Sequence, residues 1–250
     1  MPYGLYMSAA GANAQNHRLQ VLSHNLANVA TPGYKAQAPV LQARAAEAIE
    51  QGTESPGAGK IDDIGGGVTL QASETNFRLG AIKETGVRTD FAISNPSDFF
   101  VVEREGKQML TRAGNFQFNS IGRLVNQSGD SVIDIAGRPI QIDPTLPFDI
   151  SPGARIGQAG GIFELMMARP ENFGDLSRQG ENLYMPLAEF GLTPPTERDV
   201  ASGFLEHSSV DPTMAMMELI EASRAYEANV KMIQNQDHVM GSLISRVLQS

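Results

Sequence analysis

Four histidines, His17, His24, His207 and His238, are the residues of this 250-residue chain best suited to acid-base catalysis or metal binding. His17 and His24 lie seven residues apart on one face of a predicted helix. None of the four has a second histidine or a carboxylate at a spacing typical of a metal site. We interpret them as solvated or interhelical side chains.

Carboxylates and nucleophile motifs do not form a catalytic constellation either. Near the C-terminus, acidic and basic residues follow the i,i+3 and i,i+4 spacing of a solvated helix face: Glu218, Glu221, Arg224, Glu227 and Lys231. The chain has no cysteine, which excludes disulfides, thiolate metal sites and cysteine nucleophiles. The sequence contains no GxSxG, HExxH or nucleotide-binding glycine motif. It therefore predicts no enzyme, catalytic residue, metal, cofactor or small-molecule substrate.

Charge and hydropathy limit the partners and the cellular location that the sequence predicts. The formal net charge is -9 and the pI is about 4.9, which argues against a nucleic-acid partner because such a partner requires a basic surface. No apolar run approaches the ~20 residues that span a bilayer. Residues 1–5 lack the basic and apolar regions of a secretory signal. If the protein leaves the cytoplasm, we expect it to use an export route that does not read a secretory signal of this type.

A seven-residue apolar repeat predicts a helix from Leu5 to Val29. Its a/d positions are Leu5, Ser8, Ala12, Gln15, Leu19, Leu22, Leu26 and Val29. Thr31-Pro32-Gly33 follows this repeat, and proline cannot continue a helix. The first helix is therefore predicted to stop there.

A second repeat predicts a helix from Leu219 to Val247. Its seam consists of Leu219, Ala222, Tyr226, Asn229, Ile233, Gln236, Met240, Leu243 and Val247. Ser208, Ser209 and Asp211 offer capping side chains ahead of it, and Pro212 suits a first helical turn.

Both seams are narrow, which favours a partner helix over a globular core. An intramolecular hairpin that goes no further is one alternative, and assembly with other chains is the other. The polar positions Gln15, Asn229 and Gln236 favour assembly, since they weaken a two-helix core but can set register and partner number in a larger bundle. Neither helix is expected to be stable alone in water, so we expect frayed ends that become ordered on assembly.

The middle of the chain reads as mainly antiparallel β structure. Residues 40–50 favour a short helix, and 51–59 read as a loop. From Phe91 onward, short alternating runs are separated by turn residues roughly every 8 to 12 positions. The predicted strands are 99–103, 107–112, 115–119, 123–126, 131–135, 140–142, 162–168 and 183–190, and 191–203 reads as a linker back to the second helix.

Four blocks in this order resemble those of the bacterial flagellar rod and hook proteins. They are residues 23–35 (SHNLANVATPGYK), 85–102, 110–125 and 203–229. The positions that match the family's signature are Asn25, Leu26, Ala27, Asn28, Gly33, Arg112, Gly114, Phe116, Arg224, Tyr226 and Glu227. Three places depart from it: Asn95 and Asp98 replace glycines, Ser209 replaces an asparagine, and the acidic residue expected before Met217 is displaced by residues 213–216.

The resemblance implies an α+β fold in which the terminal helices pair as a coiled coil and a central, mainly antiparallel β domain lies outside them. The corresponding domains would be 1–34 with 204–250, a connecting segment 35–85 with a flexible loop, and a β domain 86–203 that includes the linker. The a/d residues named above, apart from Ser8, Gln15, Ala222, Asn229 and Gln236, would form the assembly interface.

The resemblance also implies a function. Such proteins are structural subunits that assemble with other rod subunits, of the same and of different kinds, into a helical tube that transmits torque from motor to hook across the periplasm. They are exported by the flagellar type III export apparatus without a cleaved signal peptide. The length and the short 36–80 region favour a proximal-rod protein over the distal-rod type and over hook proteins.

Two other classes remain open at this point. A non-flagellar β-rich binding module with a helical hairpin would be a monodisperse monomer with protected terminal amides. An enzyme would have a pocket with converging polar groups and perturbed titration.

Overall fold

The computed structural model describes residues 3–43, 67–70, 73–143, 145–151, 153, 155–158 and 161–248. Helix α1 (Tyr3–Ala27) and helix α2 (Pro212–Leu248) lie at the two ends, with antiparallel strands between them. The predicted α+β class is confirmed. The described residues divide into two compact units. A helical unit comprises those within 1–27, 37–75 and 211–250, and a β unit comprises those within 28–36 and 76–210.

In the helical unit, α1 and α2 run antiparallel. Gly4 lies beside Gln236 and Gly11 beside Asn229, and the Arg18 guanidinium is 3.8 Å from the Glu221 carboxylate. Two small ladders belong to the same unit: β1 (Gln37–Ala38) pairs with β4 (Glu74–Thr75), and β2 (Leu41–Ala43) with β3 (Val68–Leu70). The predicted helix at 40–50 is wrong at 41–43, which form β2 instead, and the rest of it and the 51–59 loop lie outside the described residues.

The start of α2 is set by local chemistry. The Asp211 carboxylate accepts hydrogen bonds from the backbone N–H groups of Thr213 (2.8 Å) and Met214 (3.1 Å), so it caps the helix. Pro212 is the first helical residue, where its missing N–H costs nothing. Of the three predicted capping side chains, Asp211 caps the helix, and the predicted first turn at Pro212 is confirmed. At the other end of the chain, α1 ends at Ala27, and Val29 lies in the turn that follows it.

The β unit contains sixteen short strands among the described residues. They are β5 (Ile82–Glu84), β6 (Phe91–Ile93), β7 (Phe99–Arg104), β8 (Lys107–Thr111), β9 (Gln117–Phe118), β10 (Leu124–Val125), β11 (Ser131–Val132), β12 (Phe148–Ser151), β13 (Arg155–Gln158), β14 (Gly161–Glu164), β15 (Met167–Arg169), β16 (Leu176–Arg178), β17 (Leu183–Pro186), β18 (Gly191–Leu192), β19 (Val200–Ser202) and β20 (Phe204–Glu206). Two 3₁₀ turns, Phe173–Asp175 and Pro195–Glu197, complete it.

The main sheet has the order β16-β17-β8-β7-β11-β10-β9, with β15 also pairing with β7 and β18 with β15. Strands β12, β13 and β14 form a separate meander, and β6 pairs with β19 and β5 with β20. Strand β7 is central: Phe100 and Val102 join one apolar cluster, and Phe99 and Val101 join another. Because neighbouring residues of a strand point to opposite faces, this run is apolar without alternation.

Several predicted strands differ from the observed ones. Residues 162–168 divide into parts of β14 and β15, and 140–142 make only isolated bridges rather than a strand. The predicted linker 191–203 instead contains β18 and β19, which pair with β15 and β6. Its Pro194-Pro195 pair indicated a linker, but the strand partners lie about 23 and about 109 residues away in the chain, outside the reach of a local pattern.

Candidate assembly site

The first part of the predicted seam lies between α1 and α2 of the same chain. Ala12, Leu22 and Ala222 are buried there. Leu5, Leu19, Leu26, Leu219 and Ile233 are partly buried, whereas Tyr226 is exposed. Val29 is also partly buried, but in the β unit rather than on the helix.

Two glycines that sequence reasoning did not select set how closely the helices approach. A methyl group at Gly11 would lie 2.8 Å from Asn229 Oδ1, and one at Gly4 would lie 2.9 Å from Gln236 Nε2. Both glycines and both amides are seven residues apart, so the two contacts repeat at one register. Glycines seven residues apart next to a heptad seam were the available signal in the sequence.

The polar seam positions are only partly satisfied within the chain. Asn229 Nδ2 donates to the Ala225 carbonyl at 2.9 Å. By contrast, Gln15 Oε1 and Gln236 Oε1 are buried without a hydrogen-bond partner among the described residues. A buried unpaired polar group costs about 1–3 kcal/mol, so these two amides weaken an isolated hairpin.

The second part of the predicted seam extends past α1. Because Gly4 lies beside Gln236, the last three turns of α2 continue beyond Tyr3, the first described residue of α1. There the exposed fractions of Met240, Leu243 and Val247 are 39%, 52% and 72%, and Ile244 is 56% exposed. We call Met240, Leu243 and Ile244 the free stripe. It continues the same helix face that carries Ala222, Asn229 and Gln236, because these positions recur every three or four residues.

The family-signature positions fall into two groups. Asn25, on α1, is buried, donates to the Gln37 carbonyl at 2.8 Å and accepts from the Gln37 N–H at 2.9 Å. Leu26 and Ala27 end that helix. On α2, Arg224, Tyr226 and Glu227 are exposed.

The remaining signature positions belong to the β unit. Asn28 accepts a hydrogen bond from the Thr31 hydroxyl at 3.2 Å in the turn that follows α1. Gly33 has φ +66°, and a methyl group there would lie 2.4 Å from the Arg112 carbonyl carbon, so only glycine fits. A methyl at Gly114 would lie 1.7 Å from the Phe91 carbonyl oxygen, and the Phe116 ring packs edge-on against Phe100.

Arg112 belongs to a buried network of three charges that sequence reasoning did not assemble. The Glu206 carboxylate accepts from Arg112 Nε at 2.9 Å through one oxygen and from Lys35 Nζ at 2.5 Å through the other. The three side chains are at most 1% exposed. We call them the buried triad. Each residue comes from a different signature block, which was the signal available in the sequence.

The triad also binds backbone groups. Arg112 donates to the carbonyls of Ile93, Asn95 and Asp98. Two of these acceptors are the positions where the chain departs from the family's glycines. Burial lowers the pKa of Lys35, while the neighbouring Glu206 carboxylate opposes that shift and Arg112 adds to it.

Within the described residues, no group of three or more histidine, aspartate or glutamate side chains is placed to hold a metal ion. In the same part of the chain, neither helix is long and apolar enough to cross a membrane.

Three family models match successive parts of the chain. A flagella basal body rod protein model matches residues 5–35, the flagellar hook protein FlgE/F/G D1 domain matches 93–163, and the flagellar basal body rod FlgEFG protein C-terminal model matches 201–246. These matches cover α1, the centre of the main sheet and α2. The family models thus match both terminal helices and the central part of the β unit.

Full-length relatives agree with the family models. The chain is 31% identical to the flagellar basal-body rod protein FlgG of Agrobacterium fabrum, covering 98% of this chain and 99% of that protein. It is 29% identical to the flagellar basal-body rod protein FlgF of Caulobacter vibrioides, over 99% and 98% respectively. FlgG of Bacillus subtilis is 28% identical over 96% and 97%.

The chain belongs to the family of flagellar basal-body rod proteins. It is a structural subunit of the rod in the flagellar basal body, and the family resemblance seen in its sequence blocks is confirmed.

Proposed function

We propose that the two terminal helices are the assembly element of the rod and that neighbouring subunits complete their seam. In this proposal α1 and α2 pair as a coiled coil, and copies stack into a helical tube that transmits torque from motor to hook. The β unit keeps its own core and presents the helices for assembly.

The free stripe is the observation that carries this proposal. Its three apolar side chains are 39–56% exposed in the described chain, although the same face is covered by α1 one turn earlier. Removing apolar surface from water gains about 25 cal/mol per Å², so a helix from another subunit would be stabilised on this face. The buried oxygens of Gln15 and Gln236 support the same reading, because donors from a further helix would satisfy them.

The partners we propose are other rod subunits, of the same and of different kinds, and the flagellar type III export apparatus. The rod would span the periplasm, and the subunit would be exported without a cleaved signal peptide. These points rest on the family resemblance. A proximal position in the rod rests on the short 36–80 region, with the distal type as the alternative.

Leu243→Asp tests the proposal most directly. Leu243 is 52% exposed, so the variant should melt much like the unsubstituted chain while polymerisation and swimming are lost. Ser245→Asp is the matched control, since it adds the same charge to the opposite face of the same helix. We would measure filament formation with other rod subunits by electron microscopy.

Hydrogen exchange gives a second readout. In the monomer, amides of 238–248 should exchange quickly, and they should become protected in the rod. If Leu243→Asp assembled as well as Ser245→Asp, the free stripe would not be an interface and the proposal would be abandoned.

A further inference from the structure

Two segments of the β unit lead directly to the helices. Residues 28–36 lead from α1 into the β unit, and residues 207–210 lead from β20 to α2. Inside the β unit the first segment binds both the second segment and the strand before it: Gly33 N–H donates to the Glu206 carbonyl at the end of β20 (2.8 Å), and Ser209 N–H donates to the Tyr34 carbonyl (3.0 Å). The two covalent connections to the helical unit therefore leave the β unit from one place.

The secondary structure at this place is weak. Among the described residues, strand β20 pairs only with β5, through three residue pairs, and β19 only with β6 in the same way. Such short two-stranded ladders are marginal by themselves in water. A pull on residues 36 and 207 would open them one hydrogen bond after another unless something else held the segments.

The buried triad lies at this place. Glu206 ends β20, and one of its carboxylate oxygens accepts from both Lys35 Nζ and the Gly80 N–H, the latter at 2.8 Å. Lys35 Nζ also donates to the Arg78 carbonyl at 2.7 Å. Through its other oxygen Glu206 reaches Arg112, next to the end of β8 in the main sheet.

Further contacts hold the first segment on the sheet. The Arg178 guanidinium lies over the Tyr34 ring at 4.6 Å and donates to the Lys35 carbonyl at 3.3 Å. Asn182 Nδ2 donates to the Pro32 carbonyl at 3.0 Å. These partners come from β16 and the turn before β17, so the segment is attached to the main sheet and not only to β20.

We propose that the buried triad is a mechanical clasp in which Glu206 positions both connecting segments against the main sheet. Charge-assisted hydrogen bonds in a dry site are stronger than the neutral bonds of the short ladders. Force that arrives along either helix then acts on β7 and β8 through Arg112 rather than peeling β5 and β20 apart. The purpose of the clasp rests on the proposed transmission of torque, whereas its existence does not.

Single-molecule pulling on the monomer tests the clasp. Because the chain has no cysteine, handles can be attached at Ala30→Cys and His207→Cys, both exposed and one on each connecting segment. In this background we would compare the intact triad with Lys35→Met/Glu206→Gln, which removes the Lys35–Glu206 ion pair, while an amide oxygen at position 206 and the carbonyls of Ile93, Asn95 and Asp98 remain as acceptors for Arg112. We expect the rupture force across these handles to fall.

Pulling along a second direction is the control that distinguishes a clasp from a general contribution to stability. With handles at the exposed positions Lys107 and Ile121, away from the connecting segments, the same double substitution should leave the rupture force nearly unchanged. Equal losses along both directions, or no loss along either, would overturn the proposal.

Hydrogen exchange on the full-length monomer provides the second measurement if the double variant unfolds too easily for pulling. Amides of Gly33, Gly80 and Ser209 should exchange about 10- to 100-fold faster, since each loses a partner or its support. The Leu124 amide, bonded to the Ile140 carbonyl in the core, should not change. Lys35→Arg, which keeps the cation, should restore much of the protection, and failure to do so would contradict a role for the ion pair. None of these measurements involves assembly, so a rod that does not form would not affect them.

Discussion

The helical unit and the β unit differ in which side chains they bury. At the end of α2, leucine, isoleucine, methionine and valine stand in solvent, whereas the β unit buries a lysine, an arginine and a glutamate together. Within the described residues, the free stripe stays largely exposed, whereas the three charges have partners from three distant segments. The comparison teaches that burial here follows the available partners rather than residue type alone.

Charging the covered part of the seam should have the largest effect. We expect Leu19→Asp or Ile233→Asp to abolish assembly, because each places a charge in an apolar seam. Melting of the β unit should change little, since neither residue belongs to it. Electron microscopy for assembly and near-ultraviolet circular dichroism for the β unit would check this. A variant that still built a rod would show that the seam is assigned wrongly.

Breaking the triad should cost most in stability. Glu206→Ala leaves Lys35 and Arg112 buried without an anion, and such a loss typically costs about 3–5 kcal/mol. Asp149→Ala is the control, because the Arg88–Asp149 pair is exposed and should contribute less than about 1 kcal/mol. Urea unfolding would measure both. Equal costs would mean that burial does not distinguish the two ion pairs.

At alkaline pH, the buried hydroxyl of Tyr184 should lower the stability of the folded protein. Burial raises the pKa of Tyr184 to about 12, and its hydroxyl has no hydrogen-bond partner among the described residues. Between pH 10 and 12 the unfolded chain loses this proton and the folded one keeps it, so stability falls as pH rises, by roughly 1–3 kcal/mol.

Tyr184→Phe should remove that part of the alkaline loss and leave stability near pH 7 unchanged or slightly higher, since no bond is lost. Unfolding in urea at pH 7 and at pH 11 would measure both effects. An unchanged alkaline loss in the variant would assign it to other groups.

The smallest effect is expected at the helix contact. Gly11→Ala should change the free energy of unfolding about 1 kcal/mol less favourably in the unsubstituted chain than in an Asn229→Ala background. The reason is that a methyl group at Gly11 meets Asn229 Oδ1. Gly241→Ala, on α2 with no atom within 4 Å of the added methyl, should stabilise the helix by roughly 0.5–1 kcal/mol. Circular dichroism at the helical band during urea unfolding would separate the two. Additive substitutions at Gly11 and Asn229 would mean that the contact does not set the register.

Sequence reasoning was most successful where one local rule decided the outcome. The cap at Asp211, the first turn at Pro212 and the break after α1 followed from backbone chemistry within a few residues. The strands at 99–104 and 107–111 followed from a turn at Glu105-Gly106, where both residues have positive φ. Predictions failed at 41–43 and 191–203, where strand partners far along the chain replaced the local preference.

The candidate site divides in the same manner. The a/d spacing predicted which residues share one helix face, because a helix presents every third or fourth residue on one side whatever its partner. Spacing could not show that α1 covers this face only as far as Gln236. That limit depends on the relative lengths and register of two helices more than 180 residues apart.

The amino-acid sequence by itself determined the two terminal helices, the β character of the middle and the membership of the flagellar rod family, since these depend on short-range periodicity and on motifs read in order. Only the tertiary structure decided that Lys35, Arg112 and Glu206 meet in one dry site and that the free stripe lies uncovered. The physical reason is that burial depends on which distant segments surround a side chain, and no local pattern contains that information.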